Sequence, residues 1–119
     1  AWDYTGIDIQ EGRNVDIVAV NPYLFPIDHN YYDVVISGQV LEHVRKPWIW
    51  IEELYRVLKI GGQICVIAPS QGEQHNTPDY WRLFPSGMKV LLESAGFKNI
   101  TVKRNDNDPW KDTIGIATK

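Results

Sequence analysis

The chain has 119 residues, 44% hydrophobic and 23% charged, the make-up of one ordinary globular domain with enough length to bury a core. Its formal charge of -3 and pI near 5.5 exclude a general electrostatic grip on nucleic acid, which needs clustered Lys and Arg. A single cysteine, Cys65, inside an apolar run excludes a disulfide framework and fits a reducing cytoplasm, and no apolar run approaches the roughly 20 residues of a membrane span or the pattern of a signal peptide.

Tyr4 to Ile9 (YTGIDI) is predicted as a short strand with Asp8 at its carboxyl end. In nucleotide-binding doubly wound folds an acidic residue at the tip of the second strand accepts hydrogen bonds from ribose hydroxyls. The other reading of Asp8 is a turn residue capping the polar loop from Gln10 to Asn14. Val15 to Val20 (VDIVAV) is a second predicted strand, closed by the turn signal Asn21-Pro22. The Asn21 amide either meets a purine edge, since it offers both donor and acceptor, or makes an Asx turn. Leu24 to Asp33 is a loop with an apolar floor of Leu24, Phe25 and Ile27, in which His29 is read as solvated.

Tyr32 to Pro69 reads strand, helix, strand. Its two apolar runs, Val34 to Ile36 and Ile64 to Ala68, are continuous rather than alternating, as in parallel strands covered on both faces. Between them Ile51, Leu54, Tyr55 and Leu58 recur at helical spacing, with Glu52 and Arg56 one turn apart on a more polar face. Pro47 suits the first helical turn and Gly61 the left-handed residue that closes it. A strand, crossover helix and parallel strand form a right-handed unit of a doubly wound sheet, whose ligands sit beyond the carboxyl ends of the strands. That edge is Ser37, Gly38 and Gln39, with the turn into Leu41, Glu42 and His43.

Ser70 to Phe84 is a loop long enough to suggest function, carrying His75, Asp79, Tyr80, Trp81 and Arg82 at the carboxyl end of a central strand. Its other reading is a surface lid pinned by its aromatics. Pro85 to Ala95 is a predicted helix with Met88, Leu91, Leu92 and Ala95 on one face and Gly96 as its stop; Met88 is assigned to the core. A strand through Ile100 and Val102 ends near Arg104, Asn105 to Asp108 is a turn, and Thr113 to Thr118 is a last strand. With no helix between them these two strands run antiparallel.

Four segments carry a family resemblance: YTGIDI (4–9), FPIDHNYYDVVISGQVLEHV (25–44), ELYRVLKIGG (53–62) and HNTPDYWRLFPSGMKVLLESAGF (75–97). Together, and in this order, they resemble the class I S-adenosylmethionine-dependent methyltransferases of the VLEHV type. The resemblance implies an α/β, Rossmann-like doubly wound, mostly parallel sheet ending in an antiparallel hairpin. It also implies methyl transfer from S-adenosylmethionine to a small-molecule acceptor, with no metal. Position by position, it implies that Asp8 and Ile9 meet the cofactor's ribose. Asn21 stands where the family usually has an aspartate reading the adenine, with Pro22 and Tyr23 alongside the ring. Gly38, Gln39 and Val40 pass the methionine part and the reactive methyl, and His43 lies at the pocket rim. His43 or His75 is the candidate base, because imidazole titrates near neutrality, and Tyr80, Trp81 and Arg82 shape the acceptor side. Phe84 occupies the place of a threonine that usually caps the helix starting at Pro85.

The family's first strand and glycine-rich turn have no counterpart ahead of Tyr4, so this is expected to be an N-terminally truncated single domain. In the family's strand order, 3-2-1-4-5-7-6, the missing strand is the central one, leaving a slot of roughly 10 Å. Unpaired backbone groups in a buried slot would cost about 1 to 3 kcal/mol each. The slot is therefore expected to close up, or to be filled by another copy or an N-terminal complementing segment, so a homo-oligomer is expected. The alternative function is a catalytically inactive methyltransferase-like binding or partner module. A fragment of a nicotinamide-dependent dehydrogenase shares the acid at Asp8 but not the VLEHV segment or the terminal hairpin.

Overall fold

The computed structural model describes residues 2–119. Strands β3 (Tyr32–Gly38) and β4 (Leu58–Ala68) pair in parallel, with Ile36 opposite Cys65 and Gly38 opposite Ile67. Helix α1 (Pro47–Val57) makes the crossover between them. Helix α2 (Pro85–Ala95) leads to β5 (Lys98–Arg104) and then β6 (Thr113–Thr118), which inserts antiparallel between β4 and β5. The sheet order is β3-β4-β6-β5, and the terminal hairpin is as expected from the sequence.

The core lies where both helices press on one face of this sheet. Ile51, Leu54 and Leu58 bury the predicted stripe of α1, and Trp50 and Val57 extend it onto Ile64, Val66 and Ala68. Met88 and Leu92 of α2 are fully enclosed above β6. Gly115 makes that approach possible: a Cβ there would fall 2.6 Å from Met88 Cγ. The continuous apolar runs suggested cover on both faces, and the structure covers one. The opposite face carries Ile36, Cys65 and Ile116 side by side in register, with Ile36 68% and Ile116 45% exposed.

Strands β1 (Ile7–Asp8) and β2 (Ile17–Val18) form a separate parallel pair, much shorter than the segments 4–9 and 15–20 predicted for them. No strand lies between β1 and β3 among the described residues, and the two sheets share no ladder. The expected closure of the slot does not occur, for a physical reason. The expected cost assumed a sealed interior, whereas Ile9 and Ile36 at its margins are well exposed, so the space is open to solvent there.

The loop that follows β2 is fastened to α1. Arg56 joins Glu53 at 2.6 Å rather than the predicted Glu52, and its guanidinium also donates to the carbonyls of Ile27 and Phe25. Glu53 in turn accepts the Phe25 N–H. Burial alone would push the Glu53 carboxyl up, but the bonds from Arg56 and from Phe25 outweigh it and hold the group below the usual carboxylate range. Gly61 does not close α1. The helix ends at Val57, and Leu58 turns extended to pair with Tyr32. Gly61, at φ +84°, instead serves a tight bend within β4, where a Cβ on Gly62 would fall 2.8 Å from the Lys59 carbonyl oxygen and 2.9 Å from that of Asp33.

Candidate functional site

Between β1 and β3 lies a cavity of 770 Å³, within the usual range of small-ligand sites. Its floor is apolar, from Trp50, Leu54 and Val57 of α1. Asp8 and Ile9 from the end of β1, Pro22 and Tyr23 from the turn after β2, and Gly38, Gln39 and Val40 from the end of β3 all line it. Asp8 Oδ1 accepts the Ile9 N–H at 2.6 Å, and the carboxylate is otherwise open to solvent. Gly38 leaves bare backbone, since a Cβ there would meet nothing within 4 Å. Gln39 takes a left-handed φ of +58°, its side-chain Nε2 donates to Asp112 Oδ2, 2.9 Å off, and its N–H donates to Ile67 O. Asn21 is exposed outside the cavity wall, and its Oδ1 accepts the Tyr23 N–H, the Asx turn of the two sequence readings.

His43 and Tyr80 also line the cavity, and they bring in the long loop 70–84. This strap is tied down over the 3-10 turn Leu41–His43: the N–H groups of Tyr80 and Trp81 donate to Glu42 O, and Trp81 Nε1 donates to Val44 O. Asp79, only 6% exposed, holds the strap's interior. It takes two bonds from Arg82, at 2.7 and 2.8 Å, and one from the His75 N–H at 2.8 Å, with His75 Nδ1 3.0 Å away. The hydrogen bonds from Arg82 hold the Asp79 carboxyl far below the usual carboxylate range. Arg82 spends its remaining donors on the carbonyls of Gly72, Glu73 and Trp81. His75 packs against His43, ring centroids 5.2 Å apart, without reaching the cavity wall. Trp81 likewise stands outside it, edge-on to Trp48.

The methyltransferase domain family matches residues 2–66, more than half of the chain. The chain belongs to that family. This methyltransferase domain is 38% identical over 85 residues to the chloroplastic 2-methyl-6-phytyl-1,4-hydroquinone methyltransferase of Arabidopsis thaliana, covering 67% of the chain and 25% of that protein. It is 31% identical over 84 residues to the demethylmenaquinone methyltransferase of Listeria welshimeri, covering 71% of the chain and 34% of that protein. The chain thus spans about a quarter to a third of the length of these curated relatives. Its fold matches the crystal structure of a SAM-dependent methyltransferase from Archaeoglobus fulgidus with a TM-score of 0.75 and 17% identity, over 97% of this chain and 75% of that one.

Two residues of the methyltransferase domain's site have no obvious mark in the sequence. Glu42 is fully buried beneath the strap, although it reads as the polar tip of a turn. Trp110, in the hairpin loop, packs on His75 and lies under the Arg82 guanidinium at 5.5 Å. The usable signal for Trp110 was Gly72, where a Cβ would sit 2.2 Å from the indole ring. No helix among the described residues is long and apolar enough to cross a membrane.

Proposed function

We propose that this domain transfers a methyl group from S-adenosylmethionine to a small acceptor of the hydroquinone class, the acceptor chemistry named in its Arabidopsis relative. The observation that carries the reading is that Asp8 and the turn Gly38–Val40, expected to serve opposite ends of one cofactor, line a single cavity. The cofactor brings a methyl already activated on a sulfonium, so the protein has to align acceptor and methyl and exclude water. Asp8 has a free carboxylate oxygen for ribose hydroxyls. Pro22 and Tyr23 offer an apolar slot for a flat base. The open backbone at Gly38 admits a close approach, with the Gln39 side chain held by Asp112. His43, on the wall shared with Tyr80, is the candidate base for an acceptor hydroxyl. Tyr80, Trp81 and Arg82 bound the acceptor side, Tyr80 by lining it and the other two by holding the strap.

The open edges of β1 and β3, and the bare face through Ile36 and Ile116, support a second copy or an N-terminal complementing segment as the partner that completes the site. The lone cysteine supports a reducing, cytoplasmic setting. Calorimetric titration with S-adenosylhomocysteine tests the central reading. Binding should be saturable and about tenfold weaker or more in Asp8→Ala, the loss of one charge-assisted hydrogen bond. Folded protein that gives no heat, alone or with an added complementing strand, would establish the binding-module alternative.

A further inference from the structure

Glu42 is 0% exposed, and neither carboxylate oxygen has a hydrogen-bond partner among the described residues. A buried carboxyl left this way is costly unless a proton or a cation is shared with it. Its backbone is fixed by the strap through Tyr80 and Trp81, so the side chain cannot swing out to water without releasing the strap. The charged and titratable groups around it are His43 on its own turn and His75, Asp79 and Arg82 from the strap. Asp79 and Arg82 are committed to each other, and His75 is committed to Asp79. His43 remains.

The orientation of His43 is informative. Its Nδ1 lies on the Pro78 carbonyl oxygen, which can only accept, so Nδ1 carries the hydrogen. In the neutral ring the lone pair is then on Nε2, and Nε2 is the nitrogen facing Glu42, 3.9 Å from Oε2. A side-chain adjustment of about 1 Å closes that gap to a hydrogen bond. His43 also lines the cavity, so its ring adjoins the space an acceptor would occupy.

Resting on the methyl-transfer reading above, we propose that Glu42 and His43 form one proton-holding pair in which Glu42 is the positioning residue, setting the orientation and charge of the His43 ring. In the step this serves, the acceptor's O–H bond breaks and its proton passes to His43 Nε2. The electron pair left on that oxygen forms the new oxygen–carbon bond to the methyl, and the methyl–sulfur bond breaks with its electrons left on sulfur as a thioether. The new imidazolium is neutralised by the Glu42 carboxylate. When the carboxyl holds the proton instead, its O–H has Nε2 as the acceptor in reach. Burial pushes Glu42 above the ordinary carboxylate range, and a positive His43 pulls it back.

The test is a carbon-detected NMR titration of the Glu42 carboxyl in the full chain, without cofactor or acceptor, in wild type, His43→Gln and His75→Gln. Glu42 should titrate at higher pH in His43→Gln than in wild type, and by a smaller margin in His75→Gln. No displacement in His43→Gln, or an equal one in His75→Gln, overturns the pairing. Should His43→Gln fold poorly, a double-mutant cycle of Glu42→Gln and His43→Asn by urea unfolding decides the same point: non-additive changes in stability support the pair, and additive changes refute it. Neither measurement depends on methyl transfer, so a protein that binds no cofactor can still show the pair, and an uncoupled pair leaves the methyl-transfer reading intact.

Discussion

Removing Asp79 should release the strap. Its carboxylate accepts two hydrogen bonds from Arg82 and one from the His75 N–H, all between 2.7 and 2.8 Å. Hydrogen bonds to a charged group contribute about 1.5 to 3 kcal/mol each, and breaking a buried ion pair costs about 3 to 5 kcal/mol because a charge is left uncompensated. The Arg82 side chain is 20% exposed and keeps bonds to Gly72 and Glu73, so water and those carbonyls recover part of the loss. The expected cost of Asp79→Ala is about 3 kcal/mol, or roughly 10 °C in Tm for a domain of this size. Asp79→Asn, which keeps one acceptor oxygen, should lose about 2 kcal/mol. The pH dependence follows from the depressed Asp79 carboxyl. Its contribution is fully present above the ordinary carboxylate range and is lost as pH falls through and below it, so the gap between wild type and Asp79→Asn should narrow in acid. Urea unfolding at pH 7 and at pH 3, with amide exchange across residues 70–84, measures this. A loss below about 0.5 kcal/mol at pH 7, the level of an ordinary surface substitution, would refute the claim that Asp79 holds the strap.

Phe84 sits at the N-cap of α2 with an extended backbone, no side-chain cap and 62% exposure, so Phe84→Thr should stabilise the domain by about 1 kcal/mol in thermal melts. Glu42→Gln reverses a different cost. Because burial raises the Glu42 carboxyl, the native state holds that proton more tightly than the unfolded chain, and stability falls as pH rises through the raised value. The variant should therefore gain on wild type as pH rises above the ordinary carboxylate range, seen as diverging Tm values. Gly62→Ala forces a Cβ into two carbonyl oxygens that belong to the backbone and cannot step aside, and should cost about 2 kcal/mol by denaturant titration.

The sequence was most legible where local pattern and tertiary pairing agree. Thr113–Thr118 and Pro85–Ala95 fall on their predicted residues because alternation in one, and helical spacing with a glycine stop in the other, each have a partner surface to satisfy. The strands at 4–9 and 15–20 shrink to two residues apiece because they pair only with each other, so most of each apolar run has no ladder to join. The pair Gly61-Gly62 was misread as a helix stop, since a left-handed glycine looks the same at a helix end and at a bend within a strand. Arg56 chose Glu53 over Glu52 because the loop carbonyls of Phe25 and Ile27 lie on that side, a fact set by residues distant in sequence. At the site, Asp8, Ile9, Pro22, Tyr23, Gly38, Gln39, Val40, His43 and Tyr80 converge on one cavity. Arg82 and His75 point into the strap instead, since a buried Asp79 claims both. Glu42 was invisible because its enclosure depends on a loop whose course spacing does not encode.

The bare sheet face gives this protein a built-in chemical gauge. Cys65 sits between Ile36 and Ile116, half-buried, and burial pushes its thiol up, so alkylation by a maleimide or iodoacetamide should be slow but measurable. Anything that settles on that face, whether helix, strand or second copy, has to cover the same sulfur and slow its labelling further. One reactive atom, with no other thiol in the chain to confuse the signal, thus reports when that surface is occupied.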